Sequence, residues 1–170
     1  MAKKFKIQRK NRPTKPKSDR QEFGGGKKGI IICPQCKAVY YKKSWHHSML
    51  NMKSPKEKSK VNFVLCPACR MIKKGQYEGK ILVNNIPARM KEELLNLVKN
   101  YCEKAYSIDP LDRLIEIKES GNGLVITVTE NELAAKLTRR IKETFKKVDK
   151  KVIFSAEPGD TAIAVIDFFD

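Results

Sequence analysis

The sequence CPQC at residues 33–36 and the sequence CPAC at residues 66–69 decide how the first half of this chain folds. Two cysteines in a Cys-x-x-Cys turn can bind one edge of a tetrahedral Zn²⁺ site, and Pro34 and Pro67 fix φ inside each turn. The two pairs share one form and are separated by 29 residues. This spacing predicts a zinc ribbon in which two such turns lie on neighbouring hairpins. The predicted ligands are Cys33, Cys36, Cys66 and Cys69.

Four thiolates close the coordination shell, so the predicted zinc is structural rather than catalytic. A thioredoxin-like motif needs only one Cys-x-x-Cys, and the ligand runs of iron–sulfur clusters are usually grouped differently. Two disulfides would not suit a Lys-rich intracellular chain with an odd cysteine. Cys102 is interpreted as a core residue of a helix. His46 and His47 are interpreted as surface loop residues, although either histidine is an alternative ligand.

Charge is distributed very unevenly along the chain. Residues 1–80 contain 22 Lys/Arg and 4 Asp/Glu, a net charge of +18, whereas residues 81–170 contain 14 and 15, a net charge of −1. An excess of this size on one half suggests a polyanionic partner, of which nucleic acid is the commonest. An anionic membrane surface is the alternative.

Residues 1–29 are predicted to form a disordered basic arm that binds RNA. The arm has few apolar residues, its like charges repel one another, and Gly24, Gly25 and Gly26 form a flexible joint. The Lys27-Lys28-Gly29 stretch that follows lacks the spacing of a phosphate-binding loop. The basic residues expected to contact RNA from the arm are Lys3, Lys4, Lys6, Arg9, Lys10, Arg12, Lys15, Lys17, Arg20, Lys27 and Lys28.

Residues 30–78 are predicted to form the zinc ribbon, with strands leading into each cysteine pair and a basic loop at residues 42–60. Lysines suit phosphate contacts and exposed aromatic faces can stack on unpaired bases. Trp45 is equally compatible with stacking and with packing beside the cysteines, whereas Tyr40 is expected to pack. The predicted RNA-binding residues of this region are Lys42, Lys43, Trp45, His46, Arg70, Lys73 and Lys74.

Residues 79–170 are predicted to form a ferredoxin-like α+β domain with one additional C-terminal strand. Apolar residues from Met90 to Ala105 recur at helical spacing and predict a helix over residues 88–106. A second helix is predicted behind Thr129-x-x-Glu132, which has the form of a capping box. Gly121-Asn122-Gly123 is typical of a hairpin turn between two strands. The whole chain is therefore assigned to the α+β class.

Several functional classes find no support in the sequence. The first 20 residues lack the apolar region of a secretory signal, and no apolar run reaches the ~20 residues that a membrane span needs. We therefore expect a cytoplasmic protein. The sequence contains no Ser-His-Asp, Walker A or open metal-site pattern, so we expect no enzymatic activity and no small-molecule substrate.

The two cysteine pairs occur together with DPLDRLIEI at residues 109–117, LVITVT at residues 124–129 and LAAKL at residues 133–137. In this combination the chain resembles a bacterial family of small zinc-ribbon proteins, over about residues 30–168. The family is similar in turn to the N-terminal part of the large-ribosomal-subunit export adaptor of eukaryotes and archaea. That adaptor has more cysteine pairs and further domains, which this chain lacks. Members of the bacterial family are sometimes labelled ATPases, a label that these residues do not support.

The resemblance implies a non-enzymatic protein that binds the large ribosomal subunit through rRNA. We expect a role in assembly, quality control or dormancy, with residues 79–170 contacting RNA or ribosomal proteins. The alternative is a zinc-ribbon adaptor associated with DNA or transcription. A nucleotide-using enzyme is a third, weaker hypothesis.

Overall fold

The computed structural model describes residues 12–13, 30–41, 43–48, 61–154 and 161–169. Residues 30–41, 43–48 and 61–78, which contain both cysteine pairs, are called the cysteine module below. Residues 79–154 and 161–169 are called the C-terminal domain. Both units combine helix with sheet, so the predicted α+β class is confirmed.

The cysteine module contains short strands and one helix. Its four-stranded sheet has the order β4 (Ser44–His46), β3 (Val39–Tyr41), β2 (Ile30–Ile32) and β5 (Val61–Phe63), in which β2 pairs antiparallel with β3 and parallel with β5. Two residues of the predicted arm form β1 and pair with β6, and the rest of the arm lies outside the described residues. The elements are β1 (Arg12–Pro13), β2 (Ile30–Ile32), β3 (Val39–Tyr41), β4 (Ser44–His46), β5 (Val61–Phe63), α1 (Pro67–Lys74) and β6 (Gln76–Tyr77).

The C-terminal domain has the strand and helix order that the sequence predicts. The first helix extends two residues beyond the predicted 88–106, and the hairpin turns at Gly121 and Asn122. The elements are β7 (Gly79–Asn84), α2 (Ala88–Ile108), β8 (Leu114–Ser120), β9 (Gly123–Val128), α3 (Asn131–Thr144), β10 (Val148–Phe154) and β11 (Ala162–Phe168).

The position of the last strand differs from the ferredoxin-like arrangement. There, the strand after the second helix pairs with the first strand. Here, β11 takes that place, parallel to β7, and β10 lies at the edge of the order β10-β11-β7-β9-β8. Every second residue of β11 is buried, as in an interior strand, whereas β10 contains the charged run 149–151, which suits an edge.

The core of the C-terminal domain forms where α2 and α3 pack on the sheet. Burial alternates along β7, where Gly79, Ile81 and Val83 face the helices. Each helix contributes an apolar stripe, as the periodicity predicts. The largest fully buried apolar side chains are Ile81, Leu94, Leu124, Ile126, Leu133, Leu137, Ile141 and Ile166.

Gly123, at the start of β9, permits a close approach of two strands. A Cβ atom at this position would lie 2.1 Å from the carbonyl oxygen of Val83, which is backbone and cannot move aside easily. Glycine is therefore required at residue 123 for this close contact as well as for the hairpin turn that the sequence predicts.

The capping-box interpretation of Thr129 is wrong. Glu130 is the N-cap of α3, and no side chain caps that helix. The fully buried Thr129 hydroxyl instead donates to the carbonyl of Leu111 (2.6 Å) and accepts from the amide of Arg113 (2.8 Å). It therefore joins the end of β9 to the segment that leads into β8.

Among the residues that the structure describes, no helix combines the length and the apolar character that crossing a membrane requires.

Candidate metal centre

The first cysteine pair lies in the turn between β2 and β3. The amide of Cys33 donates to the carbonyl of Ala38 (2.8 Å), and the amide of Lys37 donates to the carbonyl of Cys33 (3.0 Å). Lys37 has a φ of 63°, in the left-handed region that a sharp turn requires. These bonds fold the chain back, so that both thiols point to one side of the turn.

The sequence predicts that the second pair also lies on a hairpin. In the structure this pair lies at the start of α1 instead. Cys66 is the N-cap of that helix, and the amide of Cys69 donates to the Sγ atom of Cys66 (3.4 Å). Pro67 occupies the first helical turn, where its missing N–H and fixed φ are tolerated. The first turn of the helix brings the two thiols together, as the turn of a second hairpin was expected to do.

The four thiols form one compact cluster. Their sulfur atoms all lie within 4.8 Å of one another, and the Sγ atoms of Cys36 and Cys66 are 3.6 Å apart. A disulfide requires about 2.05 Å, and all five cysteines are free. Tetrahedral coordination with Zn–S bonds of about 2.3 Å places sulfurs about 3.8 Å apart. The cluster can therefore hold a metal ion, and its four members are the predicted ligands Cys33, Cys36, Cys66 and Cys69.

Burial and mutual proximity affect the ionisation of these thiols. Burial raises the pKa of Cys66, and the neighbouring Cys36 and Cys69 raise it further. Burial likewise raises the pKa of Cys69 to about 11. Burial also acts to raise the pKa of Cys33, but backbone hydrogen bonds outweigh it and lower the pKa to about 7. A bound cation would remove the repulsion between thiolates, and the donor set fits such an ion.

The other candidate ligands lie elsewhere. Cys102 is 2% exposed in the core of the C-terminal domain, where burial and then Asp112 raise its pKa to about 12. The Nε2 atom of His46 donates to the carbonyl of Tyr41 (3.2 Å), and that of His47 donates to the carbonyl of Tyr106. Within the described ranges, the cluster therefore contains cysteine ligands alone.

Trp45 packs against the cysteine cluster and is 8% exposed. Its ring lies 5.4 Å from that of Tyr40, with the planes tilted by 53°. The packing alternative is therefore the one observed, and the indole has no exposed face for a base. Tyr40 packs on the same cluster, as expected.

The predicted RNA-binding residues fall into three groups. Lys43, His46, Lys73 and Lys74 are exposed, and Arg70 is half-buried, where it donates to the carbonyl of Leu65 (3.3 Å). The predicted loop at 42–60 contains the strand β4, and its residues 42 and 49–60 lie outside the described residues. The side chains of the remaining group are not among those described: Lys3, Lys4, Lys6, Arg9, Lys10, Arg12, Lys15, Lys17, Arg20, Lys27, Lys28 and Lys42.

One exposed aromatic residue escaped the sequence analysis. Phe63, at the end of β5, is 69% exposed. The stretch at residues 61–65 is apolar except for Asn62, and so short a pattern did not show which of its side chains point away from the core. The parallel pairing of Ile32 with Phe63 settles this only once the sheet is known.

A small cluster joins the cysteine module to the C-terminal domain. The rings of His47 and Tyr106 meet edge to face with centroids 4.7 Å apart, and the guanidinium of Arg113 lies 4.3 Å from the centroid of Tyr106. Leu111 packs against the cluster of cysteines and Trp45. The end of α2 and the segment between α2 and β8 are therefore a place at which the two units touch.

Comparison of the chain with protein-family models, curated proteins and solved structures returns no match.

Proposed function

We propose that this protein binds RNA through a zinc-stabilised cationic module and associates with the ribosome, through rRNA of the large subunit. The observation that carries the proposal is the pairing of a closed four-cysteine cluster with +18 of charge on residues 1–80. The proposal includes no catalytic residue and no small-molecule substrate.

Zinc is the metal that suits this donor set best. Four thiolates favour Zn²⁺ or an iron–sulfur cluster, and a single tetrahedral ion fits sulfurs that lie within 4.8 Å of one another. The proposed ion holds the module together, because Cys33, Cys66, Cys69 and Trp45 make up most of its small buried cluster. Binding of RNA is then assigned to the surface around the ion.

The charge of the described module supports an anionic partner. Lys37, Lys43, Lys73 and Lys74 are exposed, Arg70 is half-buried, and Glu78 is the single acidic residue in these ranges. Of these cations, Lys37 donates to the carbonyl of Pro34 (2.9 Å) and Arg70 to the carbonyl of Leu65 (3.3 Å). The exposed Lys43, Lys73 and Lys74 are suited to phosphate contacts, which contribute a large share of the affinity of nucleic-acid-binding proteins.

The ribosome is proposed as the source of that RNA because of the resemblance of residues 30–168 to the zinc-ribbon family and the export adaptor. On this proposal the protein is cytoplasmic and acts in assembly, quality control or dormancy. The C-terminal domain, with its net charge near zero, would contact ribosomal proteins or a second RNA segment.

Sedimentation in sucrose gradients at moderate salt tests the ribosomal part of the proposal. We expect the protein to comigrate with the large subunit and to be released by RNase treatment. Absence from all ribosomal fractions, with no RNA-dependent binding, would refute it. Crosslinking followed by sequencing of the bound nucleic acid separates the alternatives, since recovery of chromosomal DNA without rRNA would favour the DNA-associated adaptor.

A pair of charge variants tests which unit binds. Replacing Lys43, Lys73 and Lys74 with Gln removes three exposed cations from the module, whereas replacing Lys142, Lys146 and Lys147 removes three from the C-terminal domain. We expect the first variant to lose affinity for RNA. The slope of the logarithm of its binding constant against the logarithm of salt concentration should become shallower by about 0.7–0.9 for each lost phosphate contact. The second variant is the matched control, and an equal loss in both would contradict the assignment.

A further inference from the structure

An open groove lies between the two helices of the C-terminal domain and has a volume of about 760 Å³. Residues of α2 line it from Leu97 to Ile108, and residues of α3 line its other side. At 1.5 Å per helical residue, the α2 side is about 16 Å long, which is the length of three helical turns. The groove is therefore long enough for a second piece of helix.

The helix α2 has more apolar surface than the core of its domain uses. One row of side chains is buried in that core and consists of Leu94, Val98 and Cys102. A second row lines the groove and consists of Leu97, Tyr101, Ala105 and Ile108. The first three members of this row are half-buried, whereas Ile108 is 77% exposed. An apolar row that leads from a core into an open groove is typical of an interaction site.

The charged side chains that line the groove have a net positive charge. Lys104 of α2 and Lys136 and Arg140 of α3 are exposed along it. Asp112 is the one acidic residue among the described residues that line the groove. The groove thus combines an apolar floor with a cationic rim, which favours a ligand that has both apolar and anionic groups.

Two of the three cations also have partners on α3 itself. Lys136 pairs with Glu132 at 3.0 Å, and Arg140 lies 3.8 Å from Glu143. All four side chains are more than half exposed, and exposed pairs of this kind contribute little to stability. An anionic ligand in the groove can therefore share these cations without disrupting the fold.

We propose that the groove between α2 and α3 is the docking site for an acidic amphipathic helix of a protein partner. The apolar face of that helix covers the row from Leu97 to Ile108, and its carboxylates meet Lys104, Lys136 and Arg140. Such helices dock in apolar grooves through side chains that recur every three or four residues. The inference goes beyond the proposed function, because it requires no RNA.

Charge complementarity favours this occupant over other parts of the chain and over RNA. Residues 1–29 contain 11 Lys/Arg and 2 Asp/Glu, and residues 49–60 contain 4 and 1, so the cationic rim would repel both segments. The phosphates of RNA would meet the rim, but they would leave the apolar row uncovered. An acidic amphipathic helix satisfies both parts of the groove.

Two peptides of about 14 residues test the proposal by fluorescence anisotropy with the full-length protein. In the first, Leu recurs every three or four residues and the other positions are Glu. In the second, Ser replaces each Leu, so the charge is the same and binding measures attraction to the cationic module alone. We expect the Leu peptide to bind at least about 10-fold more tightly, because it buries apolar side chains. Equal affinities would overturn the proposal.

Three variants locate the binding of the Leu peptide. Ile108→Ser removes the most exposed apolar side chain of the row and should weaken binding by about 10-fold. Lys104→Glu reverses a rim charge and should weaken it by about 2- to 10-fold. Lys99→Glu is the matched control, because it makes the same charge change on the same helix at an exposed residue outside the groove. An equal loss in Lys104→Glu and Lys99→Glu would contradict the location.

The same variants distinguish the other occupants. Ile108→Ser and Lys104→Glu should bind rRNA as Lys99→Glu does, since the groove is assigned to protein. A loss of rRNA affinity in Lys104→Glu with unchanged peptide binding would make the groove an RNA contact and overturn the proposal. A change from dimer to monomer in Ile108→Ser, again with unchanged peptide binding, would assign the groove to a second copy of this chain. The peptide assay contains no RNA, so its outcome is independent of the test of the proposed function.

Discussion

The cysteine module and the C-terminal domain are stabilised in different ways. Among the described residues, the buried cluster of the C-terminal domain contains eighteen residues from two helices and a five-stranded sheet, whereas the buried cluster around the cysteines contains seven, three of which are the thiols Cys33, Cys66 and Cys69. Burial of apolar side chains can stabilise the first unit, whereas the described cluster of the second buries much less apolar surface. On the proposed function, a metal ion held by the four thiols substitutes for the small core of the module.

Removal of the metal should have the largest effect and should be confined to the module. A strong chelator would remove an ion whose binding contributes roughly 10 kcal/mol or more to folding of such a unit. We expect amide hydrogens of residues 30–41 and 61–74 to exchange rapidly after chelation, while those of residues 79–128 stay protected. Cys102→Ala is the matched control, because it removes a cysteine outside the cluster and should retain one metal ion per chain. If the amides of the module stayed protected after chelation, the module would not depend on a metal ion for its fold.

A substitution in the core of the C-terminal domain should destabilise that domain alone. Leu137 on α3 is fully buried, and Leu137→Ala should lower the free energy of unfolding of that domain by about 2–5 kcal/mol through lost burial and the cavity that remains. Thermal unfolding followed by circular dichroism measures the effect. The metal content should stay at one ion per chain, and loss of metal in this variant would show that the two units fold as one.

Much of the C-terminal domain could be predicted because local patterns determine it. The helical spacing from Met90 to Ala105 and the glycine turn at residues 121–123 are properties of neighbouring residues, and both predictions are confirmed. The place of β11 between β10 and β7 depends instead on competition between strands that are distant in sequence. The sequence order of the strands therefore does not determine their order in the sheet.

The candidate site shows the same division. Ligand spacing identified the four cysteines, because coordination restricts the residue types and separations. It did not reveal that Cys66 begins a helix, since Cys-Pro-x-Cys is compatible with a hairpin turn and with a first helical turn. The exposure of Trp45 and Phe63 was also beyond reach, because burial depends on which sheet face covers the cluster. The structure buries Trp45, which the sequence offered for stacking, and exposes Phe63, which the sequence pattern did not single out.

The contact between the two units should contribute less than either core. Tyr106→Ala removes the ring that meets His47 and Arg113, and we expect the unfolding free energy to fall by about 1–2 kcal/mol. Tyr106→Phe retains the ring and is the control. The ring resonances of His47 in NMR spectra should shift in the first variant and stay in place in the second. No shift in Tyr106→Ala would mean that the units are independent.

A small pH-dependent effect is expected at Asp112. Burial raises the pKa of this carboxyl, Asp109 adds to the effect, and Lys136 opposes it. Because its pKa is raised in the folded state, ionisation of Asp112 destabilises the fold. This loss of stability is complete at pH values above the raised pKa and is absent at pH values below the ordinary range of aspartate pKa values. Asp112→Asn should therefore raise the Tm at pH 7, and the gain should vanish in acid. The exposed Glu103→Gln serves as the control, and a gain that persists in acid would contradict the linkage.

The central claim, that the metal-held module carries the RNA affinity, is tested most directly on one variant. Zinc content and affinity for rRNA are measured on the same preparation of Cys66→Ser. The account predicts less than one zinc ion per chain, a large loss of RNA affinity and a C-terminal domain that unfolds at its usual temperature. A Cys66→Ser protein with unchanged zinc content and unchanged RNA affinity would contradict it.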